Sequence, residues 1–397
     1  MPALLTIDEA LAAVLARAQP LPPEAVPLAE AAGRLLAADA RAGTDLPPFA
    51  SSAMDGFAIR AGDAPGELPI VERVAAGRPA SRPLAAGEAM GIATGAPVPD
   101  GADSVVPFEA VVEHDNRIAI ASDVAIGANV RPRGGDVRAG DVVLAAGCRL
   151  GPAQIGALAA AGLAEVACGG TPRVTILSTG TELRPPGAPL APGQIYESNA
   201  AMLETALRRG GARVDRLEPV DDDRDAHRVA LERGLEADVL VTSGGVSVGP
   251  HDLVRGLERE LGVAEVFWGV AVRPGKPLAF GTRGATLVFG LPGNPVSSLV
   301  ACELFVLPAI RALQGATTPG PPFLAGVLTS PLRRSEGRDD LVRARSELGP
   351  DGILLTPVQG QQSHMIVHAA AADALVHVPR GTGELGAGST VRYLRLD

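Results

Sequence analysis

The sequence predicts a multidomain α/β protein, and three observations carry that expectation. The chain has 397 residues, more than one hydrophobic core supports, so two to four domains are expected. From about Thr171 to Gly315, strand-like and helix-like segments alternate, the pattern of a mostly parallel sheet with helices on both faces. The 48 Gly and 35 Pro exceed a fifth of the chain without a collagen period, which calls for many tight turns and short strands. Aromatics make up only 3%, so Ala, Val and Leu must fill the cores.

Each element follows in order. TIDEALAAVLARA reads as a helix with Thr6 as cap, Glu9 closing a capping box, and Ile7, Leu11, Val14 and Leu15 on one face. Between Thr44 and Gly140, ELPIVERV, EAMGIAT, DSVVPFEAVVE and RIAIAS alternate like strands of an inserted β-rich segment. GPAQIGALAAAGLAEV is a second helix, with Pro152 at its start and Gly162 at its end, expected to pair with the first. In the alternating region, strands PRVTILSTG, ARVDRLEPV, ADVLVTSGG and ATLVFGLPG are separated by helices, the last being NPVSSLVACELFVLPAIRALQG. After about Pro321, AGVLTS, GILLTPV, DALVHVP and TVRYLRL return to short strands, a small barrel or sandwich.

Several function classes are disfavoured. A net charge of −10 argues against a nucleic-acid partner, which needs a broad cationic surface. Cys148, Cys168 and Cys302 are few and unclustered, as expected in a reducing cytoplasm without disulfides or a zinc site. The N-terminus lacks a basic stretch ahead of its apolar residues, and no apolar run approaches the ~20 residues that span a bilayer, so neither a signal peptide nor a membrane is expected.

Ligands of open parallel sheets sit beyond the carboxyl ends of the strands. There this sequence places Ser178-Thr179-Gly180-Thr181-Glu182, then Asp221, Asp222 and Asp223, then Ser243-Gly244-Gly245 with Ser247 and Asp252, then Pro292-Gly293-Asn294-Pro295 with Ser297 and Ser298. Glycines let backbone N–H groups approach an anion, and helix starts attract phosphate. Glu182, Asp222 and Asp252 are the carboxylates that can gather a hard cation such as Mg2+. Each feature alone also suits a plain turn or an N-cap. Within the inserted segment, Ser51, Ser52 and Asp55, the turn at Thr94, and Arg131, Arg133, Asp136 and Arg138 are candidates for gripping an oxyanion, or simple hairpins.

One stretch stands apart. Of the 35 Lys and Arg residues, Lys276 is the only lysine, in RPGKP beside Arg273. An ammonium is a compact point charge and a guanidinium a planar fork, so a pocket shaped by Pro274, Gly275 and Pro277 is expected to accept the first and reject the second.

SSAMDGFA, ATGAPVPDGAD, NVRPRGGDVRAGD, STGTEL, TSGGVSVGPHD, RPGKP and LPGNPVSS, in that order, resemble the molybdopterin molybdenumtransferases, the MoeA and gephyrin E-domain family, over roughly Ala3 to Leu396. The resemblance implies a discontinuous helical linker (1–43 and 140–170), an inserted mixed α/β domain (44–139), a molybdopterin-binding α/β domain (171–316) and a C-terminal β-barrel (320–397). It implies molybdate insertion into adenylylated molybdopterin with release of AMP, assisted by Mg2+, in a cytoplasmic homodimer. The adenylyltransferase and molybdoenzyme acceptors are its implied partners. Asp55, Thr94, Arg131 and Asp136 then belong to the inserted side of the site. Glu182, Asp222, Asp252 and Lys276 belong to the α/β side, Glu182, Asp222 and Asp252 as metal ligands. Ser243, Gly244, Gly245, Ser247, Arg273, Pro292, Asn294, Pro295 and Ser297 bind substrate, and Ser363 in QGQQSHMI resembles a barrel-domain site serine. Gly269 and Arg273 stand where the family often carries lysines. Two other functions share parts of the pattern: the adenylyltransferase, typically the α/β domain alone, and a gephyrin-like scaffold.

Overall fold

The computed structural model describes residues 4–220, 223–245 and 253–396. The chain forms two compact units, Ala25–Cys168 and Met1–Glu24 together with Gly169–Asp397. Helix α1 (Ile7–Leu15) opens the second of these units. Its capping box is present: Glu9 N–H donates to Thr6 Oγ1 at 3.1 Å and Thr6 N–H to Glu9 Oε2 at 2.8 Å. Ile7, Ala10 and Val14 are buried with Leu304, Phe305 and Val306 of the α/β core. An amphipathic stripe says that a face is buried, not what covers it.

In the unit Ala25–Cys168, six strands form one sheet: β1 (Gly56–Ile59), β2 (Gly66–Val74), β3 (Ala89–Ile92), β4 (Ser104–Pro107), β5 (Val111–His114) and β6 (Arg117–Ile120), in the order β4-β1-β3-β2-β6-β5. The run expected as one strand over 103–113 is two strands. Pro107 carries no N–H to continue a ladder, and the chain turns over Phe108–Ala110. Asp115 and Asn116, both at positive φ, close the two-residue β5–β6 hairpin. Helix α2 (Pro152–Ala160) lies in a separate cluster in which Val26, Leu36, Leu150, Leu158 and Cys168 are buried.

The other unit carries a six-stranded sheet of β7 (Arg173–Ser178), β8 (Arg213–Arg216), β9 (Val239–Ser243), β10 (Ala264–Trp268), β11 (Ala279–Arg283) and β12 (Thr286–Leu291), in the order β8-β7-β9-β12-β11-β10. Strands β8, β7, β9 and β12 are parallel, while β11 and β10 add an antiparallel edge that the strand–helix alternation does not announce. Alternate residues of the apolar strands serve opposite faces. Val239, Val241, Leu287 and Phe289 join the core with α1, α3 (Asn199–Arg209) and the helix Pro295–Leu313. Leu177, Leu240 and Val288 join the core under α4 (Arg224–Gly234) and α5 (Leu253–Glu260). Pro295–Leu313 is α6 (Pro295–Ala301), a π-widened turn at Cys302–Val306, and α7 (Leu307–Leu313). Length and composition alone would let this helix cross a membrane, but 89% of its apolar window is buried as core.

The tail resolves the choice between barrel and sandwich. Strands β13 (Leu324–Leu328), β14 (Asp339–Gly349), β15 (Gly352–Pro357), β16 (Ala374–Val378) and β17 (Thr390–Arg395) run β14-β15-β13-β17-β16, and β16 pairs back onto β14. That closure removes both sheet edges. Val272 and Arg273 pair in parallel with Asp339 and Asp340, joining the α/β domain to the barrel.

Candidate functional site

The carboxyl ends of β7, β9 and β12 floor a cleft of about 520 Å³. Two glycines shape it for a reason of space. Gly244 and Gly245 have φ of 95° and 64°; a Cβ on the first would lie 2.8 Å from Thr179 O, and on the second 2.6 Å from Val254 Cγ2. Glu182, Ser243, Gly244, Gly245, Asn294 and Pro295 line this cleft together. Glu182 is exposed, and its Oε2 folds back to within 2.5 Å of where a Cβ on Gly180 would sit.

Beneath these loops lie two buried polar residues that sequence reasoning missed. Asn199 Nδ2 donates to Ser243 Oγ at 2.9 Å and to Gly293 O at 2.8 Å, tying the ends of β9 and β12 together. Glu197, 1% exposed, accepts from Ser178 Oγ at 3.1 Å, Ala200 N–H at 2.7 Å and Arg216 Nη2 at 3.0 Å. Their one sequence signal is polar ESN at the start of a helix.

A second cleft, about 730 Å³, opens between the α/β domain and the barrel. Arg273, Lys276, Pro292, Asn294, Ser297 and Ser363 line it, as do Arg338, Asp340 and His364, which the sequence did not single out. Asn294 and His364 line both clefts. Ser363 is placed by its carbonyl, which accepts from Val296 N–H at 3.1 Å in the first turn of α6. Ser298, by contrast, donates its hydroxyl to Pro292 O and serves the loop. Arg273 Nη2 donates to Asp340 Oδ2 at 2.5 Å, and Ser335 Oγ donates to the same oxygen at 2.8 Å. The Arg273 charge is therefore already matched. Among the described residues, the Lys276 ammonium and the Arg338 guanidinium make no ion pair or hydrogen bond, which leaves their donors for an anion.

In the unit Ala25–Cys168, Thr94 N–H donates to Asp55 Oδ1 at 2.7 Å. Val130 and Arg131 pair with Ser52 and Ser51, and Ser51 bridges to Pro97, so Asp55, Thr94 and Arg131 border one strip of chain. Asp136 is exposed on the next turn, its N–H donating to Leu46 O. Arg133 Nε donates to Asp45 Oδ2 at 2.5 Å, the hairpin alternative for this residue. Asp45 also accepts from Ala139 N–H at 2.9 Å. That N–H and Arg133 hold the Asp45 carboxyl below its usual value.

Asp222, Ser247 and Asp252 lie outside the described residues. The described residues contain no cluster of three or more His, Cys, Asp or Glu able to hold a metal. Of the expected Mg2+ ligands, Glu182 is the one described; an exposed carboxylate at a cleft is the hard oxygen donor that Mg2+ takes.

Residues 5–162 match the family described as MoeA N-terminal region (domain I and II), residues 175–312 the probable molybdopterin binding domain, and residues 325–396 the MoeA C-terminal region (domain IV). The chain is 38% identical over 386 residues to molybdopterin molybdenumtransferase 2 of Mycobacterium tuberculosis, covering 93% of this chain and 94% of the relative. The chain belongs to the MoeA family. It is also 35% identical to the molybdopterin molybdenumtransferase of Haemophilus influenzae, with 98% of each chain covered. A solved MoeA structure from Pyrococcus horikoshii superposes with a TM-score of 0.86 at 29% identity, covering 99% of this chain and all of the other. The MoeA matches divide the candidates cleanly. Asp55, Thr94, Arg131 and Asp136 fall in the N-terminal match, Glu182 through Ser297 in the molybdopterin-binding match, and Arg338 and Ser363 in the C-terminal match.

Proposed function

We propose that this MoeA chain is a molybdopterin molybdenumtransferase that inserts molybdate into adenylylated molybdopterin and releases AMP. The observation that carries this reading is the pair of adjoining clefts with different chemistry. One offers glycine-loop amides, a helix start and a carboxylate; the other offers a serine and two cations unmatched among the described residues. The first suits a phosphoanhydride and the second a tetrahedral oxyanion. Full-length similarity to relatives named molybdenumtransferases supports it.

In this reading, amides at Ser243–Gly245 and the start of α6 seat the phosphate and nearby polar atoms of the substrate. Lys276 and Arg338, with Ser297 and Ser363, hold molybdate beside it. The phosphoanhydride P–O bond breaks as an oxygen from molybdate or water bonds to phosphorus, AMP leaves, and the two dithiolene sulfurs replace two oxygens on molybdenum, which depart as water or, where molybdate attacks, one as water and one on phosphorus. No side chain acts as a covalent nucleophile. Glu182, with Asp222 and Asp252, would hold Mg2+, which when bound neutralises charge on the phosphates. A second copy of the chain would supply Asp55, Thr94, Arg131 and Asp136.

AMP release from adenylylated molybdopterin, with molybdate and Mg2+ varied, tests the reading. Release should require both. Formation of the adenylate from ATP and metal-free molybdopterin would assign the adenylyltransferase reaction instead, and absence of AMP release would remove the proposal.

A further inference from the structure

The two clefts meet at Asn294 and His364, the residues that line both. His364 joins a fixed backbone to a free ring. Just before it, the Ser363 carbonyl accepts from Val296 N–H at 3.1 Å; just after it, Ile366 N–H donates to His364 O at 2.9 Å. Gln361 ties the same loop to the β14 backbone, its side chain accepting from Arg343 N–H at 3.1 Å and donating to Arg343 O at 2.9 Å. His364 itself is exposed, and among the described residues its imidazole makes no hydrogen bond or ion pair.

The charged groups around this junction differ in what they can exchange. Arginine and lysine, here Arg273, Lys276 and Arg338, hold charge but do not trade protons near neutral pH. Asp340 is engaged as an acceptor by Arg273 and Ser335, and Glu197 by Arg216, Ser178 and Ala200. Glu182 lines the first cleft alone. Histidine is the side chain that both gives and takes a proton near neutral pH. Among the described residues, His364 is the one histidine that lines either cleft.

Insertion is a reaction that moves protons. Each oxygen that leaves molybdate as water carries two away, and each dithiolene thiol gives one up as its sulfur bonds to the metal. We propose that His364 is a catalytic residue of this step, the general acid that protonates the departing molybdate oxygen. This rests on the reading that the Lys276–Ser363 cleft receives molybdate. The imidazolium N–H bond breaks as an O–H bond forms on that oxygen, and the Mo–O bond is exchanged for Mo–S. The ring regains its proton from a dithiolene thiol, whose S–H bond breaks as its sulfur joins molybdenum. No electron is transferred, and molybdenum keeps its oxidation state.

The test is the pH profile of kcat for molybdenum insertion by the full chain, with His364→Gln and His364→Ala. His364→Gln should lower kcat about 100-fold, while molybdate binding and melting temperature stay at the parent's values. Parent kcat should fall on the alkaline side as the imidazolium is lost, and His364→Gln should lack that limb. Added imidazole should raise the turnover of His364→Ala about tenfold. Parental kcat in His364→Gln overturns the proposal. So does a loss that leaves the alkaline limb in place, or one that imidazole does not repair, because a purely structural ring would behave in that way. If the parent itself neither releases AMP nor inserts molybdenum, the reading of the cleft falls first; if the parent does both and the variants match it, the His364 inference alone falls.

Discussion

The cleft at the strand ends and the cleft beneath the barrel share Asn294 and His364, yet they are built by different means. The first is made of backbone: glycines at positive φ, strand ends and a helix start, stitched by Asn199. The second is made of side chains from segments far apart in sequence, Lys276, Arg338 and Ser363. A backbone site is fixed by local sequence and tolerates little change of shape. A side-chain site depends on how two domains dock, and its charge can be edited one residue at a time.

The largest expected effect lies in the second cleft. Lys276→Arg should lower turnover on the order of 100-fold with little change in melting temperature, because the charge remains and its geometry does not. Turnover at the parent rate would make the lone lysine an accident of composition. A smaller and differently distributed effect is expected in the first cleft. Asn199→Ala should cost about 1–3 kcal/mol of stability, since Ser243 and Gly293 lose a buried partner. It should also lower kcat/KM for the adenylylated substrate by about tenfold, measured per folded enzyme. Lost stability with unchanged kcat/KM would mean that the amide serves folding only.

The smallest effect is a pH dependence in the other unit. The Asp45 carboxyl is held below its ordinary value of 3.8. Its tie to Ala139 and Arg133 is therefore complete above that value and is lost as pH falls through the lowered one. Hydrogen exchange at the Ala139 amide should stay slow down to about pH 4 in the parent. It should be faster and pH-flat in Asp45→Asn once intrinsic exchange is divided out. Loss of protection in the parent already at neutral pH would separate that turn from its carboxylate.

The contrast between the clefts also explains what the sequence reveals. Ser243-Gly244-Gly245 and Pro292–Ser297 were legible because strand periodicity places them at strand ends, where chemistry gathers. Arg338 and Asp340 were not, since they reach the site only through pairing of residues 272–273 with 339–340, a contact across 67 residues. The edge strands β10 and β11 were missed for a similar reason: their partners are set by the sheet, and RPGKP between them reads as loop. The sequence leaves Arg133 open between anion ligand and hairpin residue, because composition cannot show that Asp45 holds it.

The four residues 270–273 bear on how such chains diversify. Val270 bridges to Leu5, Ala271 N–H donates to Leu5 O, Ala271 O accepts from Asp339 N–H, and Arg273 is bound to Asp340. One short ribbon thus clasps the amino-terminal segment, the central sheet and the barrel just ahead of the lone lysine. Barrels swapped between relatives would arrive with mismatched clasps and misplace that lysine, so recombination joints are best cut well away from this ribbon, with both of its partners inherited together.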